Sequence, residues 1–215
     1  MEKYGTIPPR FTKAWWAHYW YYYKIHFIVA VCILSAVISF IHHIVTEIHY
    51  DIQVQLVASY PVAEECIDAL EKNLAELSED VTDNNKVEAI VYQQTMLGDA
   101  PENIQYNQAI ATKLMADLAI GDYYIYIADK AFIDSYASTG GFMNVTAWAG
   151  NILPEKIYNS VAYSLAGNTK FEEMGFDTSN LYMMVLQLYE TKKDKPEEIA
   201  AHKNAINTAV SLIKE

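Results

Sequence analysis

Residues 25–44, IHFIVAVCILSAVISFIHHI, contain no Asp, Glu, Lys or Arg. A helix of that length matches the roughly 30 Å hydrocarbon core of a bilayer, so the pattern predicts one transmembrane helix over residues 25–46. Beyond it the periods shorten. Residues 52–58, IQVQLVA, alternate as a strand with one better-buried face should, until Ser59-Tyr60-Pro61 breaks the run. Over 62–77, Ile67, Leu70, Leu74 and Leu77 recur at intervals of three and four, one helical stripe, with Glu64 and Glu65 in the first turn where the dipole favours acids. A polar turn over 79–86 leads to a second strand at 87–92. After Gly98-Asp99-Ala100-Pro101 a helix over 103–120 follows, with Tyr106, Ile110, Leu114 and Leu118 at four-residue spacing and Gly121 as its stop.

Residues 123–128, YYIYIA, read as a third strand covered on both faces. Asp129 is placed to cap a short helix carrying Phe132 and Tyr136, and Gly140-Gly141 closes that unit. Strand and helix thus alternate three times, which predicts a parallel sheet with right-handed crossovers and helices on both faces. Further on, Pro154, Ile157, Val161, Leu165 and Gly167 fit a helix over 154–166, and 168–180 reads as a loop. Residues 181–189, LYMMVLQLY, form a buried strand by length and composition, with a short helix as the alternative. The chain closes on a helix over 196–214 with Ile199, Ile206, Val210 and Ile213 inward. The expected class is α/β: a transmembrane helix, then a single three-layer lobe over 51–215 with a mostly parallel sheet of about four strands.

Charge gives this layout a direction. Residues 1–50 hold Lys3, Arg10, Lys13 and Lys24 against Glu2 and Glu47, a formal +2, while the remainder carries −14 of a chain total of −12. All four cations precede the apolar run, so the positive-inside rule places residues 1–24 in the cytoplasm and the acidic lobe outside the cell membrane. Trp15, Trp16, Trp20, Tyr21, Tyr22, Tyr23 and Lys24 form an aromatic belt at headgroup level in contact with membrane lipid; a partner-binding aromatic helix is the other reading. The apolar run is longer than a secretory h-region, and 42–47, HHIVTE, offers no small-residue cleavage site, so the anchor is expected to be retained. A lobe this acidic is a poor nucleic-acid binder. Cys32 lies in the span and Cys66 on a helical stripe outside it, so they form no pair, and Cys66 is expected to be a buried thiol.

Catalytic signatures are missing: there is no phosphate-cradling glycine loop, Cys-x-x-Cys, His-Glu-x-x-His or Gly-x-Ser-x-Gly. His42, His43, Glu47 and His49 cluster beside the span, yet ligands on a lone helix rarely complete a coordination shell, and interfacial polarity explains them. Residues 80–86 faintly resemble a calcium loop, but Asn85 stands where glycine is wanted and Val91 where a bidentate Glu is wanted. No metal and no cofactor are expected. In a parallel sheet, ligands approach the carboxyl ends of the strands beside a topological switch point. That edge would be built from Ser59 and Tyr60, Gln94 and Thr95, and Asp129, residues that equally turn the chain. The candidate ligand set is Ser59, Tyr60, Thr95 and Asp129.

The run Lys113-Leu114-Met115-Ala116-Asp117-Leu118-Ala119-Ile120-Gly121-Asp122-Tyr123-Tyr124-Ile125-Tyr126-Ile127-Ala128-Asp129, followed by Phe132, Tyr136 and Gly140-Gly141, resembles the extracellular solute-binding proteins of bacterial ABC importers. The resemblance covers roughly residues 51–145 and implies a type II periplasmic-binding-protein-like lobe. Such proteins trap solute between two lobes, whereas only about forty residues, 141–180, stand where a second lobe would be inserted. What the resemblance implies is therefore one lobe on a stalk: a non-enzymatic surface protein that binds a protein partner or a copy of itself. The alternative is an accessory solute-binding or sensor component of an importer.

Overall fold

The computed structural model describes residues 8–46, 48–98, 100–139, 141–150 and 154–214. Glu47, Gly140 and the first seven residues of the expected cytoplasmic tail therefore lie outside the described residues. The chain divides into two compact units, Met1–Ile48 and His49–Glu215.

The first unit is built on α1 (Lys13–Thr46), 34 residues and about 51 Å long. By length and composition its Lys13–His43 portion is able to cross a membrane, and none of its apolar window is buried. The aromatic belt, expected in a tail, is instead wound on this same helix. No Gly or Pro interrupts residues 13–46, and Thr12 Oγ1 accepts from the Trp15 N–H at 3.2 Å, which satisfies a free donor of the first turn. One turn apart, Trp15 and Tyr19 stack at 5.6 Å between ring centroids, as do Tyr19 and Tyr23 at 5.0 Å.

The second unit contains β1 (Ile52–Ala58), α2 (Glu64–Leu77), β2 (Ala89–Thr95), α3 (Ile104–Ile120), β3 (Ile125–Asp129), α4 (Lys130–Tyr136), α5 (Val145–Trp148), β4 (Ile157–Tyr158), β5 (Ala162–Ser164), α6 (Thr169–Glu173), β6 (Leu181–Val185) and α7 (Pro196–Ile213). Among the described residues there is one six-stranded sheet in the order β2-β1-β3-β6-β5-β4. The three alternating strands are parallel, Val54 pairing with both Val91 and Ile125. Because β2 and β3 lie on opposite sides of β1, right-handed crossovers put α2 and α3 on opposite faces. α7 packs beside α2 and spans β1, β3 and β6.

The rest of the sheet departs from expectation. β6 joins β3 antiparallel, with Asp129 opposite Leu181, and β5 and β4 follow antiparallel, so the sheet is mixed and has six strands rather than about four. A parallel entry would need a crossover of a dozen or more residues. Here 165–180 stays at one edge, because α6 has only five residues and is tethered there. Asn168 Oδ1 caps it through the Phe171 N–H, and Lys170 Nζ donates to the Ser211 carbonyl at 2.7 Å. The helix expected over 154–166 is instead the β4–β5 hairpin. Asn159 and Ser160 take φ of 48° and 58°, the left-handed pair of a tight hairpin turn, which ends any helix. In α7 the inward face is Asn204, Ala205, Thr208, Ala209, Leu212 and Ile213, while Ile199 is exposed. Cys66 is half-buried against the core. At the free edge of the sheet, the Val91 N–H donates to Glu71 Oε1 at 2.8 Å instead of joining the ladder.

One residue ties the start of β1 to the α2–β2 turn and to α7. Asp51, just before β1, is buried and accepts from the Val81 and Thr82 N–H groups through Oδ1 and from the Glu88 N–H through Oδ2, at 2.8 to 2.9 Å. Its carbonyl and that of Glu79 both accept from Asn204 Nδ2 of α7. Burial pushes the Asp51 carboxyl up, but the three backbone donors outweigh it, and the net position lies below its ordinary 3.8. A group depressed in the fold stabilises above its unfolded value and loses that contribution as pH falls through the folded value. Replacing Asp51 by Asn faces an amide N–H against a backbone donor and is expected to cost about 2 kcal/mol at pH 7. Urea unfolding of the full chain in detergent should show this deficit at pH 7 and a smaller one near pH 3.

Candidate functional site

Three of the expected site residues meet. Ser59 ends β1 and Asp129 ends β3, the two strands between which the order of the sheet reverses, so they sit at its topological switch point. The Ser59 N–H donates to Asp129 Oδ2 at 2.9 Å, and the Ser59 hydroxyl donates to the same oxygen. Asp129 Oδ1 accepts from the Phe132 N–H at 3.1 Å, the cap of α4 that its position predicts. Asp129 is only 4% exposed, while Ser59 is open to solvent. Tyr60 remains open to solvent. Its hydroxyl pKa is raised by partial burial and by the carboxylates of Asp177 and Asp129, which places those charges around it. The other two residues point elsewhere: Thr95 Oγ1 accepts from Gln93 Nε2 at 3.4 Å, and Gln94 Nε2 donates to Asp117 of α3 at 3.3 Å.

Beneath α3 the sheet carries a polar patch. Gln55, Gln94 and Tyr126 are buried, and Gln55 Oε1, Gln94 Oε1 and the Tyr126 hydroxyl find no hydrogen-bond partner among the described residues. Burial, then Asp117 and Tyr189, push the Tyr126 hydroxyl far above its ordinary range. Orphaned groups of this kind cost stability, so α3 rests on a seat only partly satisfied.

A cavity of about 280 Å³ opens at the other edge, beside the amino ends of β1 and β3. Lys192 lies in its wall, bonded to the Gly121 carbonyl at 2.9 Å and paired with Glu198 at 3.3 Å and Asp122 at 3.6 Å. Tyr124 donates to Glu198 at 2.6 Å and packs edge-on against His202. Burial of Tyr123, aided by Asp117, Tyr92 and Asp122, pushes its hydroxyl up to about 12. Sequence reasoning missed this cluster, since Asp122, Lys192 and Glu198 meet only through the antiparallel return of β6. Two hydrogen bonds and the ion pair to Asp122 engage Lys192 within the fold, which makes it a structural tie.

The surface of α3 differs from that of its counterpart on the other face. Every exposed residue of α2 is charged: Glu64, Glu65, Asp68, Lys72 and Glu76. In α3 the exposed residues include Ile104, Tyr106, Met115 and Ile120 around a centre of Ala109, Thr112, Ala116 and Ala119, and Lys113 is the single exposed charge. Gln105 and Gln108 are exposed in its first half, but from Ala109 onward the exposed residues other than Thr112 and Lys113 are apolar, more than a fully solvated helix face carries. An apolar groove of about 350 Å³ runs along its first half between Met96, Ala100, Ile104 and Ala111.

Neither metal candidate gains support. Asp80 spends its carboxylate on the Asn84 and Asn85 N–H groups, and Asn84 Oδ1 accepts from the Lys86 N–H, so the turn over 80–86 closes on itself. Among the described residues no group of three or more His, Cys, Asp or Glu is placed to hold an ion. Glu47, part of the cluster with His42, His43 and His49, lies outside them.

No family model, curated protein or solved structure matches the chain.

Two outcomes check this geometry. Tyr126→Phe removes a hydroxyl with no partner among the described residues, so its stability should stay within about 0.5 kcal/mol of the parent or exceed it; a loss above about 1 kcal/mol would mean the hydroxyl is engaged. His202, pushed below its ordinary 6.5 by burial despite its bond to the Leu186 carbonyl, binds its proton less readily folded than unfolded. Stability should therefore fall as pH drops below about 6.5, and His202→Gln should flatten that part of the pH profile in thermal unfolding.

Proposed function

We propose that this chain is a non-enzymatic, single-pass membrane protein that displays its α/β lobe outside the cytoplasm and works by docking onto a protein. The observation that carries the reading is the outer face of α3, a largely apolar surface whose single exposed charge is Lys113, on an otherwise acidic lobe. Three further features support it. α1 is long and apolar enough to be a retained anchor. The cations of the first fifty residues all precede the apolar run, which favours a cytoplasmic amino terminus. The β1-β2-β3 arrangement is compatible with one lobe of a solute-binding-like fold, used here as an interaction module.

A photo-crosslinking residue at Ala116 tests the reading in native membranes. Adducts to protein are expected there and not at Glu65 on α2; recovery of unmodified monomer alone at both positions would count against it.

Solute binding is the second reading, and the convergence of Ser59, Tyr60 and Asp129 at the switch point favours it. It requires a sugar, peptide or amino acid to raise the melting temperature of the full chain, and Tyr60→Ala to abolish that rise. A flat screen removes it.

A further inference from the structure

We infer that the outer face of α3 pairs with the same face of a second copy of this chain, antiparallel and across a two-fold axis. The inference rests on the docking reading above and names the partner.

Electrostatics selects the face. The lobe carries a formal −14, so two copies repel wherever acidic surfaces meet. Contact through α2 would oppose Glu64, Glu65, Asp68 and Glu76 to their own images. Contact through α3 opposes none, and at a Debye length of about 8 Å most other charges are screened. A heterologous partner suited to this lobe would be basic, and α3 offers such a partner one carboxylate, Asp117, half-buried and already accepting from Gln94, beside the exposed cation Lys113. A bilayer surface is equally ill-matched, since helices that lie on membranes carry several cations around the apolar face and this one carries Lys113 alone.

The face also complements itself. Ala109, Thr112, Ala116 and Ala119 follow one another at intervals of three, four and three, so they share one line along the helix. With the two-fold axis near Leu114, Thr112 lies opposite Ala116 of the second copy and Ala109 opposite its Ala119. The small side chains let the backbones approach, while Ile104 and Met115 close one flank and Tyr106 and Ile120 the other. Lys113 makes no ion pair or hydrogen bond among the described residues. In an antiparallel pair like flanks face each other, which brings Lys113 towards Asp117 of the second copy. Each copy then contributes the same residues, as an isologous interface requires.

Size sets the strength. Seventeen residues give a contact about 25 Å long and about 10 Å wide, ~250 Å² per partner, well short of the roughly 800 Å² of a standard stable interface. Pairing is therefore weak in dilute detergent and becomes substantial where an anchor confines the copies and raises their effective concentration.

The test uses two differently tagged full-length copies in the same membranes, crosslinked and purified through one tag. Wild-type copies should recover each other. Ala116→Glu alone and Ala116→Lys alone should each reduce recovery roughly tenfold, because each sets like charges across the axis, and co-expression of the two variants should restore it. Glu65→Lys on α2 should change nothing. The inference is overturned if wild-type copies do not recover each other, or if the mixed pair does no better than either variant alone. A different protein crosslinked at Ala116 would overturn the second copy while leaving the docking reading intact; no adduct of any kind at α3 would end both.

Discussion

The sheet and the layer of α2 and α7 are fastened together at Asp51. Its carboxylate holds the backbone on both sides of the turn between α2 and β2, and its carbonyl receives the amide of Asn204 from α7. The strand it introduces lies between β2 and β3, so an error at this point would be passed to both neighbours. Three N–H donors to one buried charge make this a strong tie, because charge-assisted bonds are worth about twice neutral ones. Ser78 and Thr208 extend it through a hydroxyl contact of 3.0 Å, and Ala205 and Ala209 let α7 lie close to the sheet.

The two edges of the sheet have been given different tasks. At the carboxyl edge Ser59 and Asp129 bond to each other, with Asp129 buried and Ser59 and Tyr60 exposed. At the amino edge Lys192 gathers Asp122, Glu198 and the Gly121 carbonyl, joining the start of α7 to the entry of β3. Both clusters are self-satisfied. The surface left with unmet potential is α3, seated on orphaned polar groups and apolar towards solvent.

The first half of the lobe was legible because its signals are local. Ile67, Leu70, Leu74 and Leu77 share one stripe, Gly121 adopts the left-handed cap its position after Ile120 implies, and Asp129 caps α4 by the ordinary geometry of Asp before a helix. The second half was not. Ile157, Val161 and Leu165 fit helical spacing, but Asn159-Ser160 carried the contrary turn signal, and in a segment this short backbone preference outweighs period. The direction of β6 depends on where α6 is tethered, through Lys170 to the end of α7, a contact between residues 41 apart in sequence. Of the candidate site, Ser59, Tyr60 and Asp129 were readable because strand order alone fixes a switch point. The exposed side of α3 was not, since Ile110, Leu114 and Leu118 define a satisfactory stripe that says nothing about Met115 or Ile120, and Tyr106, expected in that stripe, is exposed.

The bond from Val91 to Glu71 bears on how such a chain survives crowding. β2 is the open margin of the sheet, and its outward amides are a template for any extended peptide, including an incompletely folded neighbour. Glu71 occupies the one at Val91 and sets a negative charge beside it. An incoming strand must displace a carboxylate and face its charge before the first rung of an intermolecular ladder can form. Aggregation through this margin is thereby opposed by a single side chain, and the apolar surface of α3 is free to be sticky without making the whole lobe so.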